Sequence, residues 1–156
     1  MQYTTEGNAV LILDDASAIP ATETEHPYVL VVDDDNAILS VVMYLLENEG
    51  YTGIGFTESE QVLPFLQEMR QRGRQHLPAL ILLDLMMPHI SGYDIAHWLA
   101  DHESYAHIPI LVMTADMRVR DKNGVPGAAD FLFKPFQIST LISKLEHYLY
   151  PLDAHS

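Results

Sequence analysis

Residues 28–32 (YVLVV) form an unbroken run of β-branched and other apolar side chains, and this feature most constrains the fold. A strand with one face in water alternates apolar and polar residues. A run without alternation is typical of a strand buried on both faces, as in a parallel sheet covered by helices on both sides. Similar apolar runs occur at residues 80–83 and 108–113. The chain is therefore expected to contain a buried parallel sheet.

Segments with helical spacing of apolar residues lie between these runs. Strand and helix patterns alternate five times along the chain, which indicates an α/β fold of three layers with helices on both faces of the sheet. The predicted strands are residues 28–32, 51–56, 80–83, 108–113 and 131–133, the predicted helices include residues 38–46, 62–69, 93–102 and 138–149, and Pro151 is predicted to end the last helix.

The segment between residues 115 and 128 departs from this alternation at the place where a fourth helix is expected. Asn123-Gly124, Pro126 and Gly127 interrupt any helical pattern there, because proline and glycine break helices. We predict a short or irregular fourth helix near residues 117–122, followed by a loop.

The length of 156 residues suits one compact domain with tails. We assign residues 28–150 to that domain, residues 1–27 to an N-terminal extension of unknown role and residues 151–156 to a C-terminal tail. Residues 10–19 (VLILDDASAI) also repeat the pattern of residues 29–38 (VLVVDDDNAI). We interpret this repeat mainly as a chance or vestigial likeness. The alternative is a strand that pairs with a sheet edge or with a partner chain.

Composition excludes several classes of protein. Eight basic and 22 acidic residues give a net charge of −14, and an unmodified surface this acidic repels nucleic-acid backbones. The absence of cysteine excludes disulfides, Cys-ligated zinc and thiol catalysis. No apolar run approaches the roughly 20 residues that span a bilayer. We therefore expect a soluble cytoplasmic protein that binds neither nucleic acid nor membrane.

Polar residues follow the predicted strands at the points where they end. Asp33 and Asp34 follow the first strand, Asp84 the third, Thr114 the fourth and Lys134 the fifth. The carboxyl ends of parallel strands share one edge of the sheet, where ligands bind. Converging carboxylates repel one another, and Mg²⁺ relieves this conflict. A lysine and a hydroxyl can hold phosphate oxygens, and a carboxylate can act as a nucleophile to give an aspartyl phosphate.

Four segments together resemble the receiver domain of bacterial two-component response regulators. The resemblance runs in order from residue 28 to about residue 149. It implies a flavodoxin-like three-layer fold with a five-stranded parallel sheet in the order 2-1-3-4-5. The matching segments are residues 29–35 (VLVVDDD), 82–88 (LLDLMMP) with Ser91-Gly92, 112–115 (VMTA) and 129–136 (ADFLFKPF).

The resemblance assigns a role to each residue of the metal and phosphoryl site. Asp84 is then the phosphoacceptor. Asp33 and Asp34 bind Mg²⁺ together with Asp84, and the backbone carbonyl of Met86 completes the protein ligands. Lys134 pairs with the phosphoryl group.

The resemblance also assigns the residues of the switch. Lys134 precedes Pro135, and this bond is usually cis in the family. Thr114 follows the phosphoryl group inward, and Phe131 takes the place of the aromatic switch residue. Because phenylalanine lacks a hydroxyl, any signal at this position is expected to depend on ring packing.

The resulting hypothesis is a stand-alone receiver that accepts a phosphoryl group from a histidine kinase or a histidine phosphotransfer protein. It is expected to be a phosphoacceptor switch and not an enzyme, since it catalyses only its own phosphoryl transfer and dephosphorylation. It signals through a downstream protein, and its oligomeric state stays open. One alternative is a receiver-like interaction module that is never phosphorylated. Another is a metal-dependent phosphohydrolase, although Met86 stands where such enzymes carry a second acid.

Overall fold

The computed structural model describes residues 2–5, 8–13, 24, 26–120 and 124–153. A seven-stranded sheet forms the centre, in the order β1-β2-β4-β3-β5-β6-β7. The strands are β1 (Gln2–Thr5), β2 (Asn8–Leu13), β3 (Tyr28–Val32), β4 (Thr52–Phe56), β5 (Leu80–Asp84), β6 (Ile110–Thr114) and β7 (Ala128–Phe133), and the helices are α1 (Asn36–Asn48), α2 (Val62–Arg72), α3 (Gly92–Asp101) and α4 (Ile138–Asp153).

The five strands from β3 to β7 are parallel and lie in the order β4-β3-β5-β6-β7. Numbered from β3 onward this is 2-1-3-4-5, so the predicted fold class and strand order are confirmed. Every residue of β3, β5 and β6 is buried, as expected for strands with packing on both faces. Two apolar clusters flank the sheet, one built with α2 and α3 and the other with α1 and α4.

The N-terminal extension contributes two strands to the sheet. β1 and β2 form an antiparallel hairpin, and β2 pairs in parallel with β4. Both neighbours of β4 have the same register, since Val10 and Val29 both align with Gly53. The structure therefore supports the alternative interpretation of the sequence repeat, a strand that pairs with a sheet edge. The apolar run of residues 9–13 lies in β2, which pairs with β4, the first strand of the predicted five-stranded sheet.

The region after β6 is irregular, as predicted. Residues Met117–Arg120 form a 3₁₀ turn with a non-helical kink at Val119, and the described residues between β6 and β7 contain no α-helix. β7 begins at Ala128, three residues before the predicted start.

The prediction that Pro151 ends the last helix is wrong, because α4 continues to Asp153. A proline in the final turn removes only one backbone hydrogen bond. Leu141, Leu145 and Leu149 are buried at helical spacing and hold α4 against the sheet. In the described part of the chain no helix is long and apolar enough to cross a membrane.

Candidate functional site

Three carboxylates meet at the carboxyl end of the sheet, the edge where β3, β5, β6 and β7 end. Asp33 follows β3, and Asp84 is the last residue of the adjacent strand β5. One oxygen from each of Asp33, Asp34 and Asp84 lies within 4.8 Å of the others. Asp33 and Asp84 are buried, whereas Asp34 is exposed. The cluster therefore has two buried acids and one acid that faces solvent.

Backbone donors fix the two buried carboxylates. The N–H of Asp35 donates to Asp33 Oδ1 at 2.9 Å, and the N–H of Met86 donates to Asp84 Oδ1 at 3.2 Å. Asp35 also caps α1, because its Oδ1 accepts from the backbone N–H groups of Ala37 and Ile38. The sequence after β3 thus serves both as a helix start and as part of the site.

Lys134 supplies the cation of the cluster. Its Nζ lies 2.6 Å from Asp33 Oδ2 and 3.6 Å from Asp84 Oδ2. The Lys134-Pro135 peptide bond is cis, as the resemblance implied. The backbone N–H of Lys134 donates to the carbonyl of Thr114 at 2.8 Å, so the end of β6 and the end of β7 are directly joined.

One lysine cannot balance three carboxylates, and Asp84 shows the consequence. Its burial, followed by the charge of Asp33, raises its pKa from 3.8 to about 7, although Lys134 and the N–H of Met86 act in the opposite direction. Burial and a like charge both disfavour the ionised carboxylate. A second cation at this site would therefore be favourable, and the oxygen donor set suits a hard divalent ion.

Thr114 lies next to the acceptor candidate. Asp84 aligns with Met113 in the β5–β6 pairing, which places Thr114 one residue further along the adjacent strand. Thr114 is 1% exposed, and its hydroxyl oxygen accepts a hydrogen bond from the N–H of Asp116 at 3.1 Å. This contact fixes the turn after β6.

The side chains of Phe131 and Met86 do not belong to the carboxylate cluster. Phe131 is 7% exposed, and its ring stacks on Phe133 with a centroid distance of 6.1 Å. The side chain of Met86 is exposed, and the residue contacts the site through its backbone N–H. The structure therefore brings Asp33, Asp34, Asp84 and Lys134 into one cluster, places Thr114 beside it, and holds Phe131 within the β7 packing.

The sequence analysis identified Ser91-Gly92 as part of a matching segment but missed that the backbone of Gly92 passes against the end of β5. A Cβ at this position would lie 2.1 Å from the carbonyl oxygen of Asp84, and the N–H of Gly92 donates to Leu85 at 2.9 Å. Ser91 and Asp94 form a capping box that starts α3 at this point. The sequence signal that could have identified this close approach is Ser91, three residues before the acidic Asp94, with a glycine directly after the serine.

Sequence reasoning also missed the ion pair between Arg118 and Asp116. Arg118 Nε and Nη2 contact the two carboxylate oxygens of Asp116 at 2.9 and 2.8 Å. The hydrogen bonds from Arg118 hold the pKa of Asp116 at about 2. Asp116 is therefore ionised and paired with Arg118.

Comparisons with known proteins agree with this geometry. The family model of the response regulator receiver domain matches residues 29–146. The polar-differentiation response regulator DivK of Brucella ovis is 28% identical over 123 residues, which cover 78% of this chain and 94% of that protein.

Solved structures give the same result. The chemotaxis protein CheY4 of Vibrio cholerae has a TM-score of 0.68 at 27% identity, and the match covers 80% of this chain and 99% of that one. The receiver domain of sensor histidine kinase PA1611 from Pseudomonas aeruginosa PAO1, which has a magnesium ion coordinated in its active site cleft, matches in fold with a TM-score of 0.64 at 24% identity, covering 79% and 97% of the two chains. The family model matches most of the chain, and the chain therefore belongs to the response regulator receiver domain family.

Proposed function

We propose that this receiver accepts a phosphoryl group on Asp84 from a phosphohistidine donor, in a reaction that requires Mg²⁺, and thereby changes its interaction with a partner protein. The observation that carries the proposal is the position of Asp84. Its carboxylate lies at the end of the central sheet, within reach of Asp33, Asp34 and Lys134.

The residues of the cluster fit a magnesium ion. Asp33, Asp34 and Asp84 each offer an oxygen within a small volume. Burial, followed by the charge of Asp33, raises the pKa of Asp84, and this supports a site that is stabilised by an added cation. These three residues would hold the ion together with the carbonyl of Met86, which the family pattern assigns. When bound, Mg²⁺ supplies positive charge that stabilises developing charge on phosphoryl oxygens.

The transfer itself is a substitution at phosphorus by the Asp84 carboxylate. An oxygen of Asp84 forms the new P–O bond, and the P–N bond of the phosphohistidine breaks. The electron pair of that bond returns to the imidazole, which leaves as a neutral group when its other nitrogen carries a proton. The N–H of Met86 holds Asp84 Oδ1, which leaves Oδ2, the oxygen on the Lys134 side, directed toward the charged part of the cluster.

Lys134 and Thr114 convert this chemistry into a change of structure. The ammonium group of Lys134 already lies between two carboxylates and can bind a phosphoryl oxygen by a charge-assisted hydrogen bond. The Thr114 hydroxyl can donate to another oxygen. The backbone N–H of Lys134 donates to the carbonyl of Thr114. Phosphoryl contacts to both residues would therefore favour one common conformation of the ends of β6 and β7, and Phe131 of β7 would move with them.

An apolar groove beside Lys134 supports docking of a donor protein. The groove has a volume of 440 Å³ and includes Ile38 and Val41 of α1 with Pro135 and Ile138 near the start of α4. Val41 and Ile138 are about half exposed. Since Lys134 lines the same groove, a histidine-bearing protein bound there would place its phosphoryl group next to Asp84.

The proposal extends to the output of the protein. Since the match covers 94% of DivK, itself a response regulator, we infer that this receiver signals through direct contact with another protein. It acts catalytically only on its own phosphorylation and dephosphorylation, in the cytoplasm, and its signal passes to another protein.

The test is incubation with Mg²⁺ and acetyl phosphate, followed by intact-mass measurement. We expect a mass gain of one phosphoryl group in the wild type and in Asp101→Asn, an exposed control, and no gain in Asp84→Ala. Beryllofluoride with Mg²⁺ should shift the NMR signals of Thr114 and Lys134. No mass gain and no shift would favour an interaction module that is never phosphorylated. Steady turnover of bulk phosphoesters would favour a phosphohydrolase.

A further inference from the structure

Arginines are concentrated at the end of α2 in an otherwise acidic chain. Three of the eight basic residues, Arg70, Arg72 and Arg74, lie within five positions. Arg70 and Arg72 stand in the last turn of α2, where cations offset the negative end of the helix dipole. Arg74 lies beyond the helix, so the helix dipole does not account for it.

Two of these arginines line a cavity of 380 Å³, which we call the arginine pocket. Its volume falls in the range of small-molecule sites. Arg74 precedes β5 and His107 precedes β6, so the pocket lies at the amino end of the sheet, roughly 15 Å from the carboxylates, given the rise of about 3.3 Å per strand residue. The pocket is lined by Arg70, Arg74, Glu103, Ser104 and His107.

Arg70 and Arg74 of the arginine pocket form no ion pair with another described residue. Among the described residues, the ion pairs involve Arg72, Arg118, Lys134 and Lys144, and none involves Arg70 or Arg74. Glu103 lines the same cavity but forms no ion pair with either. Burial and the charge of Arg74 together lower the pKa of His107. With two arginines and one glutamate in its lining, the pocket therefore presents a net positive charge to solvent.

The backbone around the arginine pocket is well fixed. Gly73 has a φ of +134°, and the turn that follows is closed by hydrogen bonds from His76 to Gly73 and from Leu77 to Arg74. The buried ring of His76 contacts the Thr24 hydroxyl at 2.8 Å. The backbone of this turn is therefore already ordered before a ligand binds, which lowers the entropic cost of binding.

The opposite wall is fixed by a buried aromatic residue. Tyr105 is 6% exposed and packs against Trp98 with a centroid distance of 5.0 Å. Its N–H donates to the His102 carbonyl, and its carbonyl accepts from the N–H of Ile108. The turn that carries Glu103, Ser104 and His107 is therefore anchored at its centre.

We propose that the arginine pocket binds the phosphate group of a small phosphorylated metabolite that also carries hydroxyl groups. Guanidinium groups bind phosphate in a bidentate manner, and the Ser104 hydroxyl and the His107 ring add donors. The Glu103 carboxylate accepts hydrogen bonds from ligand hydroxyls. Its charge repels anionic groups close to it, so a ligand with one phosphate at the arginines and neutral hydroxyls at Glu103 fits better than a run of acidic side chains.

NMR titration of the ¹⁵N-labelled protein without Mg²⁺ tests this site. The probes are adenosine 5′-monophosphate, inorganic phosphate and adenosine. We expect saturable shifts confined to residues 70–76 and 102–108, with the nucleotide binding several-fold more tightly than phosphate and adenosine not binding. Shifts centred on Asp84 and Lys134, equal affinity for nucleotide and phosphate, or tight binding of a poly-glutamate peptide would each overturn the proposal.

Charge-matched variants separate a specific site from general attraction. Arg70→Gln and Arg74→Gln should each weaken nucleotide binding at least tenfold. Arg72→Gln removes the same charge from the same helix turn outside the pocket lining, and it should change the affinity less than twofold. Equal weakening by all three variants would show non-specific attraction and contradict the proposal. Thermal unfolding of each variant verifies that it is folded.

Discussion

The two ends of the sheet hold charge in opposite ways. At the carboxyl end, Asp33 and Asp84 are buried and compete for one lysine, which lies 2.6 and 3.6 Å from their oxygens. At the amino end, Arg70 and Arg74 are exposed and have no acidic partner among the described residues. Charges at the carboxyl end are therefore strongly coupled to one another, whereas those at the amino end interact mainly with solvent.

This difference shows which end can act as a switch. Buried, coupled charges respond strongly when a cation or a phosphoryl group is added, because the local dielectric constant is low. Exposed charges respond weakly, since water and salt screen them. A substitution at the carboxyl end should therefore change both chemistry and stability, whereas one at the amino end should change stability or ligand binding but not the phosphorylation rate.

The largest effect is expected from Lys134→Met. The variant removes the only cation that contacts both buried carboxylates in the described site. Phosphorylation by acetyl phosphate should slow about 10²- to 10³-fold, the usual cost of removing one group that stabilises transition-state charge. Stopped-flow or mass-resolved time courses in saturating Mg²⁺ measure this rate.

Lys144→Met is the matched control for that variant. Lys144 forms an ion pair with Asp130, 2.8 Å apart and away from the cluster. Its replacement should leave the phosphorylation rate unchanged within about twofold. Similar rates for the two methionine variants would contradict the role of Lys134.

Gly92→Ala should lower stability by about 3 kcal/mol. The new methyl group would meet the Asp84 carbonyl oxygen at 2.1 Å, so the backbone must shift. The melting temperature should fall by roughly 6–12 °C at about 2–4 °C per kcal/mol. Gly124→Ala is the control, because no atom lies within 4 Å of the added Cβ. An equal fall in both variants would show that glycine replacement, not this contact, is responsible.

The pH dependence of stability should depend on Asp84 when no metal is present. Its pKa is about 7 in the folded protein and ordinarily 3.8, so the folded state binds the proton more tightly. The free energy of unfolding therefore falls as the pH rises from about 4 to about 7. At pH 8, Asp84→Asn should be more stable than the wild type by about 1–2 kcal/mol, with allowance for solvent screening.

Urea unfolding at pH 5 and pH 8 checks this prediction. Asp101→Asn, at an exposed position, should follow the wild type at both pH values. Saturating Mg²⁺ should reduce the difference between Asp84→Asn and the wild type at pH 8. A wild type that gains stability over this pH range would contradict the assigned direction.

The smallest effect is expected at the amino end, from Tyr28→Phe. The Tyr28 hydroxyl donates to the His76 carbonyl at 2.7 Å, and burial raises the pKa of Tyr28, so it remains a donor. Loss of this buried hydrogen bond should cost about 1 kcal/mol. Thermal unfolding detects it, with the exposed Tyr44→Phe as the control. Phosphorylation rates should be equal in both variants.

The sequence could predict the central fold because β3, β5 and β6 are apolar throughout and end at polar residues. Parallel strands place those ends on one edge, so the sequence alone assigns Asp33, Asp84 and Lys134 to one site. Their mutual distances could not be predicted, since the position of Lys134 depends on the β6–β7 pairing and on the loop that follows.

Other features depend on contacts that leave no periodic signal. The pairing of β2 with β4 was underestimated because a short apolar run does not reveal its partner. The arginine pocket joins residues 70–74 to residues 103–107, and only the tertiary fold brings these turns together. α4 continues past Pro151 because tertiary packing outweighs the local tendency of proline to end a helix.

The N-terminal hairpin has a practical consequence for how the chain can be truncated. The family match begins at residue 29, and a fragment truncated there would lack β2. The five-residue strand β4 would then replace the four-residue strand β1 as the open edge of the sheet, and a longer open edge favours association with other chains. Truncation at the family boundary should thus yield a fragment that aggregates more readily than the whole chain. The whole chain, with its N-terminal hairpin, is therefore the better form for studies in solution.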